Sequence, residues 1–198
     1  MEHNLLKNSA LLFIFALLVR GVYTFIFVEI EFLTSEDQMG YIQYAKEILH
    51  NGFLGITSER VPGYPFFISV ISSVFGESLW NVIAIQVLLD SASCILIAIM
   101  AKVLFGAGFW IAGVMSAINL NMIIISNALL TDTLFLFLFT VFLFALIKFI
   151  QNERIGWFII FVTFLSLSAL VRPASYYLIP LLLISVVIWR LWLRDNLL

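Results

Sequence analysis

Charge is the scarcest property of this 198-residue chain. Asp, Glu, Lys and Arg together make up 11% of it, against roughly 25% in a soluble domain. That is too little to cover a water-facing surface, so a soluble globular domain is excluded, and the apolar content excludes disorder. Ten basic residues against twelve acidic ones leave a net charge of −2, so no basic field exists to hold a nucleic-acid backbone. Cysteine is nearly missing, and Cys94 alone cannot form an intrachain disulfide. The two histidines, His3 and His50, are far apart and lack metal-ligand spacing. No glycine-rich phosphate loop, serine nucleophile elbow or Cys-x-x-Cys pair occurs. No N-x-S/T sequon occurs either, which favours a bacterial or archaeal plasma membrane over the endoplasmic reticulum. Without a repeat or polar linker, residues 1–198 read as a single module.

What the chain has in abundance is apolar length. Hydrophobic types reach 63% and the mean hydropathy is +1.12. A membrane-crossing helix needs about 20 mostly apolar residues. Six segments meet or approach that: Ser9–Val28, Leu79–Leu104, Phe109–Leu130, Thr133–Ile150, Ile155–Val171 and Ser175–Leu193. A seventh, Tyr64–Phe75, is short and suits a re-entrant or interfacial helix. The runs are rich in Leu and Phe without period-2 alternation, so the fold class is all-α, a polytopic helix bundle of about six spans. Arg20 interrupts the first run and no cleavage site follows, which argues against a signal peptide. Lys7, Lys102, Lys148, Arg154, Arg190 and Arg194 fall on one side of six alternating spans, and Lys46, Arg60 and Arg172 on the other. The richer side is cytoplasmic, so both termini are expected there, in a multi-pass plasma-membrane protein.

The one long polar stretch is the first outer loop, about 29–78. It carries seven acids against Lys46 and Arg60. Ser35 is placed to cap a helix that Asn51–Gly52 would close, with Asp37, Tyr41, Tyr44 and Ala45 along one face. Glu36 and Asp37 then stand at its positive end, where the helix dipole alone would favour them. Pro62 and Pro65 flank Gly63–Tyr64, which reads as a stiff, turned, non-helical backbone against an embedded cavity.

Charges in or near the membrane each need a reason. Arg20 can snorkel to the interface or point inward as a cation near the outer cavity. Asp90 has Gln86, Ser91 and Ser93 as neighbours, which reads as polar glue between helices. Either Thr131 or Asp132, at the outer start of the fourth span, can cap that helix, or Asp132 can converge with the loop acids. Arg172 can bind headgroup phosphate or grip a substrate phosphate through its planar fork. A carboxylate able to take a proton, beside a cation able to hold phosphate, is equipment for group transfer from a phosphate-linked donor. A small ion-coupled transporter is the alternative, but glycine and proline breaks fall only at the outer surface, which disfavours it.

The ordered set resembles the GT-C superfamily of membrane glycosyltransferases, in the branch of the protein O-mannosyltransferases and the aminoarabinose transferases. Arg20 lies in the first span. Asp37, Tyr41 and Lys46 precede R-V-P-G-Y-P-F-F at Arg60–Phe67. Q-V-L-L-D at Gln86–Asp90 is followed by Phe105–Gly106, then T-D-T-L-F at Thr131–Phe135 and L-V-R-P at Leu170–Pro173. The likeness runs from about residue 18 to 180. It implies transfer of a sugar, with inversion, from a polyprenyl-phosphate donor to an acceptor at the outer face. It implies Asp37 as general base and Asp132, where the family often has Glu, as a second acid. Arg172 and Arg60 would neutralise the lipid phosphate. Glu36, Tyr41, Tyr64 and Arg20 are the remaining candidate substrate contacts, the tyrosines by stacking or hydrogen bonding to sugar or prenyl groups. The implied partners are the lipid-linked donor and membrane lipids. A divalent metal stays open as a cofactor. The family usually carries further spans and often a soluble domain, so the chain is expected either to be a fragment or truncated N-terminal membrane module or to work with a partner subunit; a non-catalytic, lipid-phosphate-binding subunit or degenerate relative is the alternative function.

Overall fold

The computed structural model describes residues 2–29, 35–55, 60–178 and 180. Eight α-helices and no strand occur among them. They are α1 (Glu2–Phe27), α2 (Glu36–Asn51), α3 (Gly63–Phe75), α4 (Leu79–Phe105), α5 (Phe109–Ala117), α6 (Leu120–Ser126), α7 (Thr131–Asn152) and α8 (Ile155–Val171). α4 is the hub, packing against α1, α3, α5, α6 and α7, while α7 lies along α8 and α2 covers α3.

α1, α4 and α7 are each long and apolar enough to cross a membrane. The expected third span, Phe109–Leu130, is not continuous. It is α5 and α6, bent by 53° at Ile118–Asn119. No proline causes the break. The Asn119 side chain instead caps α6, accepting from the Met122 N–H at 3.2 Å. α8 has 17 residues. It stops because Arg172, preceding Pro173, is held in extended backbone. Six expected spans therefore become three among the described residues, or four with the bent pair as one. Most of the sixth, Ser175–Leu193, lies outside the described residues; its start forms a 3₁₀ turn, Pro173–Tyr177.

The outer loop follows its sequence signals in part. Ser35 and Gln38 form a reciprocal capping box at the start of α2, and Gly52, with φ of 57°, ends it. The buried face of α2 comprises Gln38, Tyr44, Ala45 and Ile48, so the buried stripe starts at Gln38 and Asp37 stays exposed beside it. The Gly63–Tyr64–Pro65 segment departs from expectation. It is already helical, as the first turn of α3. Proline is tolerated there because a first-turn N–H has no intrahelical acceptor.

Two apolar clusters hold the bundle. One joins Tyr64, Ile68, Val82, Ile83, Leu129 and Val171. The other joins Leu12, Ala16, Cys94, Ala98, Phe109 and Ala117. Beside the second cluster Arg20 is fully buried. Its Nε donates to Asp90 Oδ2 at 2.5 Å. Nη1 donates to the carbonyls of Ala16 and Ala117, and Nη2 to Cys94 Sγ and the Ser116 carbonyl. All five N–H groups of the guanidinium therefore have acceptors. Ser116 and Ala117 end α5, so this cation takes up the Ala117 carbonyl at the helix break and shares the Ser116 carbonyl with the Asn119 backbone N–H. Asp90 is indeed interhelical glue, but its partner is Arg20 rather than Gln86.

Candidate active site

Two arginine–carboxylate pairs lie around Tyr64, where α2, α3, the start of α7 and the end of α8 come together. In the first, Arg60 Nη1 donates to Asp37 Oδ1 at 3.1 Å. The pair is reached from both sides of the loop: α2 supplies Asp37 from its first turn, and Arg60 stands just ahead of α3. Arg60 also lies over the ring of Tyr41, 4.8 Å from its centroid. The hydrogen bond from Arg60 to Asp37 pushes the guanidinium even further above its usual range, so it remains a cation throughout. Asp37 is open to solvent, its side chain 72% exposed.

In the second pair Arg172 Nη1 donates to Asp132 Oδ1. Neither Thr131 nor Asp132 caps α7, since Leu130 takes the cap position with no side-chain bond. Asp132 instead turns from the first helical turn toward Arg172. Arg172 is fixed by the extended backbone at the end of α8, and it also lies over Phe135, 5.8 Å from the ring centroid.

Tyr64 stands between the two pairs. Its ring meets Tyr41 edge to face at 5.2 Å, which connects it to Arg60. Its buried hydroxyl donates to Gln86 Oε1 at 2.6 Å. The Gln86 amide in turn donates to the carbonyls of Ser126 and Ala128, just ahead of α7. Burial above all, with smaller electrostatic contributions from Tyr41 and the Asp132 carboxylate, raises the Tyr64 pKa well above 10.0. Tyr64 is therefore a neutral donor, and Asp132 is near enough for its charge to be felt there. Gly63, one residue earlier, backs onto α8. A Cβ at that position would come within 2.5 Å of the Leu170 carbonyl oxygen. The loop ahead of α3, the end of α8 and the start of α7 thus meet at one place.

A model of the dolichyl-phosphate-mannose-protein mannosyltransferase family matches residues 59–198. The chain belongs to that family. No curated protein and no solved structure matches it. The mannosyltransferase match takes in Arg60, Tyr64, Asp132 and Arg172, while Arg20, Glu36, Asp37 and Tyr41 precede it.

Of the residues singled out from sequence, the fold joins Asp37, Arg60, Tyr41 and Tyr64 in one chain of contacts and Asp132 with Arg172 in a second beside it. Glu36 is exposed in the first turn of α2. Arg20 is not brought to this cluster; its guanidinium is enclosed in the interior network. Gln86, which ties Tyr64 to the start of α7, was read only as a neighbour of Asp90. Among the described residues no group of three or more His, Cys, Asp or Glu side chains is close enough to hold a metal ion.

A cleft of about 270 Å³ opens between α4, α6 and α7, lined by Asp90, Asn119, Asn121, Asp132 and Thr133 with an apolar wall that includes Phe135. Asp132 therefore faces both Arg172 and this cleft.

Proposed function

We propose that the chain takes part in sugar transfer from a polyprenyl-phosphate donor at the outer face of a plasma membrane, with both termini cytoplasmic. The observation that carries this reading is the pairing of each candidate carboxylate with an arginine around Tyr64, in a chain of this mannosyltransferase family. An arginine paired with a carboxylate can exchange that partner for a phosphate, because each presents two anionic oxygens spaced to accept from the guanidinium fork. Arg172 and Arg60 would hold the donor phosphate in that way. Asp37, released from Arg60 and open to the aqueous side, would then take the acceptor's proton.

The transfer is a single displacement. The acceptor oxygen forms its bond to the anomeric carbon and gives its proton to the Asp37 carboxylate. The bond from that carbon to the phosphate oxygen breaks, and its electron pair leaves with the lipid phosphate, whose added charge Arg172 offsets. One displacement inverts the anomeric centre. Asp132 orients Arg172 before the donor arrives and, once Arg172 has turned to the phosphate, meets the sugar side of the donor.

The direct test is Asp37→Asn, assayed in membranes with polyprenyl-phosphate mannose and a hydroxyl-bearing acceptor. Removing a general base typically lowers the rate about 10²–10⁴-fold. An unchanged rate rejects Asp37 as the base. A second reading, a module that binds lipid phosphate without chemistry, is favoured by the engagement of both carboxylates with arginine. It predicts donor binding with no transfer from the unaltered chain.

A further inference from the structure

The C-terminal end of α1 carries a carboxylate without a counter-charge. Glu29 follows the last turn of α1, is exposed, and makes no hydrogen bond or ion pair among the described residues. It lines a pocket of about 410 Å³ together with Tyr23, Phe27, Ile124 and Asn127. The Tyr23 and Phe27 rings pair with centroids 5.1 Å apart. Asn127 spends its side chain inside the protein: Oδ1 accepts from Thr24 Oγ1 at 2.6 Å, and Nδ2 donates to the Ile123 carbonyl and to Ser126 Oγ. What the pocket offers a ligand is therefore a carboxylate beside aromatic rings, and among the described residues no Lys or Arg lines it. Such a lining attracts an ammonium group, by charge-assisted hydrogen bonding and by cation–π attraction, and repels an anion.

On the other side of the same helix end an apolar groove of about 670 Å³ runs between α1 and α4. Leu17, Thr24 and Val28 form one wall, and Trp80, Ala84 and Leu88 the other. Thr24 adds no polarity to the groove, because its hydroxyl is engaged with Asn127 and the Arg20 carbonyl. From Val28 to Leu17 the first wall is about 16 Å long, and from Trp80 to Leu88 the second is about 12 Å. Both are close to half of a hydrocarbon layer about 30 Å thick. The groove is thus too short for a membrane-crossing helix and matches an acyl chain of one leaflet. Trp80, 46% exposed, stands at its shallow end, where an interfacial side chain belongs. The groove and the Glu29 pocket meet: Val28 lines both, and the Thr24–Asn127 hydrogen bond joins their walls.

We propose that α1 and α4 hold one membrane phospholipid, with its ammonium headgroup at Glu29 and one acyl chain along the groove. The site is separate from the donor site proposed above and does not depend on it. Among the described residues no arginine or lysine lines either cavity, so a polyprenyl phosphate finds no cation there. Ile83 and Val87 line the groove and also belong to the apolar cluster around Tyr64. The bound chain therefore packs against the back of that cluster.

The experiment titrates the purified full chain in detergent with two phospholipids of identical oleoyl chains, phosphatidylethanolamine and phosphatidylglycerol, and counts bound lipid by native mass spectrometry. The unaltered chain is expected to hold phosphatidylethanolamine about tenfold more tightly, the worth of one hydrogen bond to a charged group. Glu29→Gln should erase the preference. Glu153→Gln, which removes an exposed acid at the link between α7 and α8, should keep it. Ala84→Phe, at an exposed position in the groove, should weaken binding of both lipids without changing their ratio. Phosphatidylglycerol bound as tightly as phosphatidylethanolamine by the unaltered chain overturns the proposal. So does a preference that survives Glu29→Gln, or one that Glu153→Gln also removes, which would make it an effect of overall charge. Lipid binding untouched by Ala84→Phe overturns it as well, and a change of oligomeric state in that variant would then assign the groove to a partner helix.

Discussion

Arg20 and Tyr64 show how a polar side chain is made tolerable in an apolar bundle. Arg20 engages all five of its donors, across α1, α4 and α5. Removing it leaves the Asp90 carboxylate buried without a counter-charge, so Arg20→Met should lower stability by about 3–5 kcal/mol. Chemical unfolding in detergent measures this. The double change Arg20→Met with Asp90→Leu should recover most of the loss, because no lone charge remains. Tyr64 has a sign-determined pH dependence. Its pKa is higher in the folded chain than the usual 10.0, so its full contribution is present below pH 10.0 and is lost as the pH rises above it. Melting temperature measured through that alkaline window should fall. Tyr64→Phe should flatten this dependence and, by leaving Gln86 Oε1 without its donor, cost about 1–3 kcal/mol at neutral pH.

At the scale of elements, the tightest junction is between α3 and α8. Gly63→Ala would drive a methyl group into the Leu170 backbone, which cannot rotate aside. The helices must part, and Arg172 moves with the end of α8. We expect a loss of about 1–3 kcal/mol, with weaker binding of polyprenyl phosphate. Gly21→Ala, where an added Cβ meets no atom of another element within 4 Å, should cost no stability and leave binding unchanged, and serves as the control. The same elements show what local sequence can convey. The start and end of α2 were legible because Ser35, Gln38 and Gly52 act on their own neighbours. α4 and α8 were legible because length and apolarity define them. The break at Ile118–Asn119 was hidden, since hydropathy is an average and two asparagines scarcely alter it. Asn119 ahead of Leu120–Ser126 was nevertheless a readable cap. The acids and arginines of the outer cluster could be named from sequence, but not their pairing, which spans 23 residues for Asp37–Arg60 and 40 for Asp132–Arg172.

At the scale of the whole molecule, the positive-inside reading places α2 outside and the link between α7 and α8 inside. Single-cysteine labelling tests this, because Cys94 is buried and does not compete. Lys46→Cys and Gln151→Cys both lie at exposed positions. A membrane-impermeant maleimide added to intact cells should label the first and not the second until the cells are opened. The reverse pattern would invert the orientation and put the arginine–carboxylate cluster on the cytoplasmic side.

The Arg20–Asp90 pair also bears on how the chain is made. Seventy residues separate the two partners, so α1 leaves the ribosome long before its counter-ion exists. Until α4 arrives, the guanidinium has only water or headgroups to keep it charged. The first helix must therefore wait near the translocon or ride shallow in the leaflet, and it reaches its final depth only when α4 is threaded beside it. Biogenesis is thereby ordered by a single ion pair: truncated nascent chains that stop before Asp90 should leave α1 extractable by alkali, and chains that extend past α4 should hold it fast.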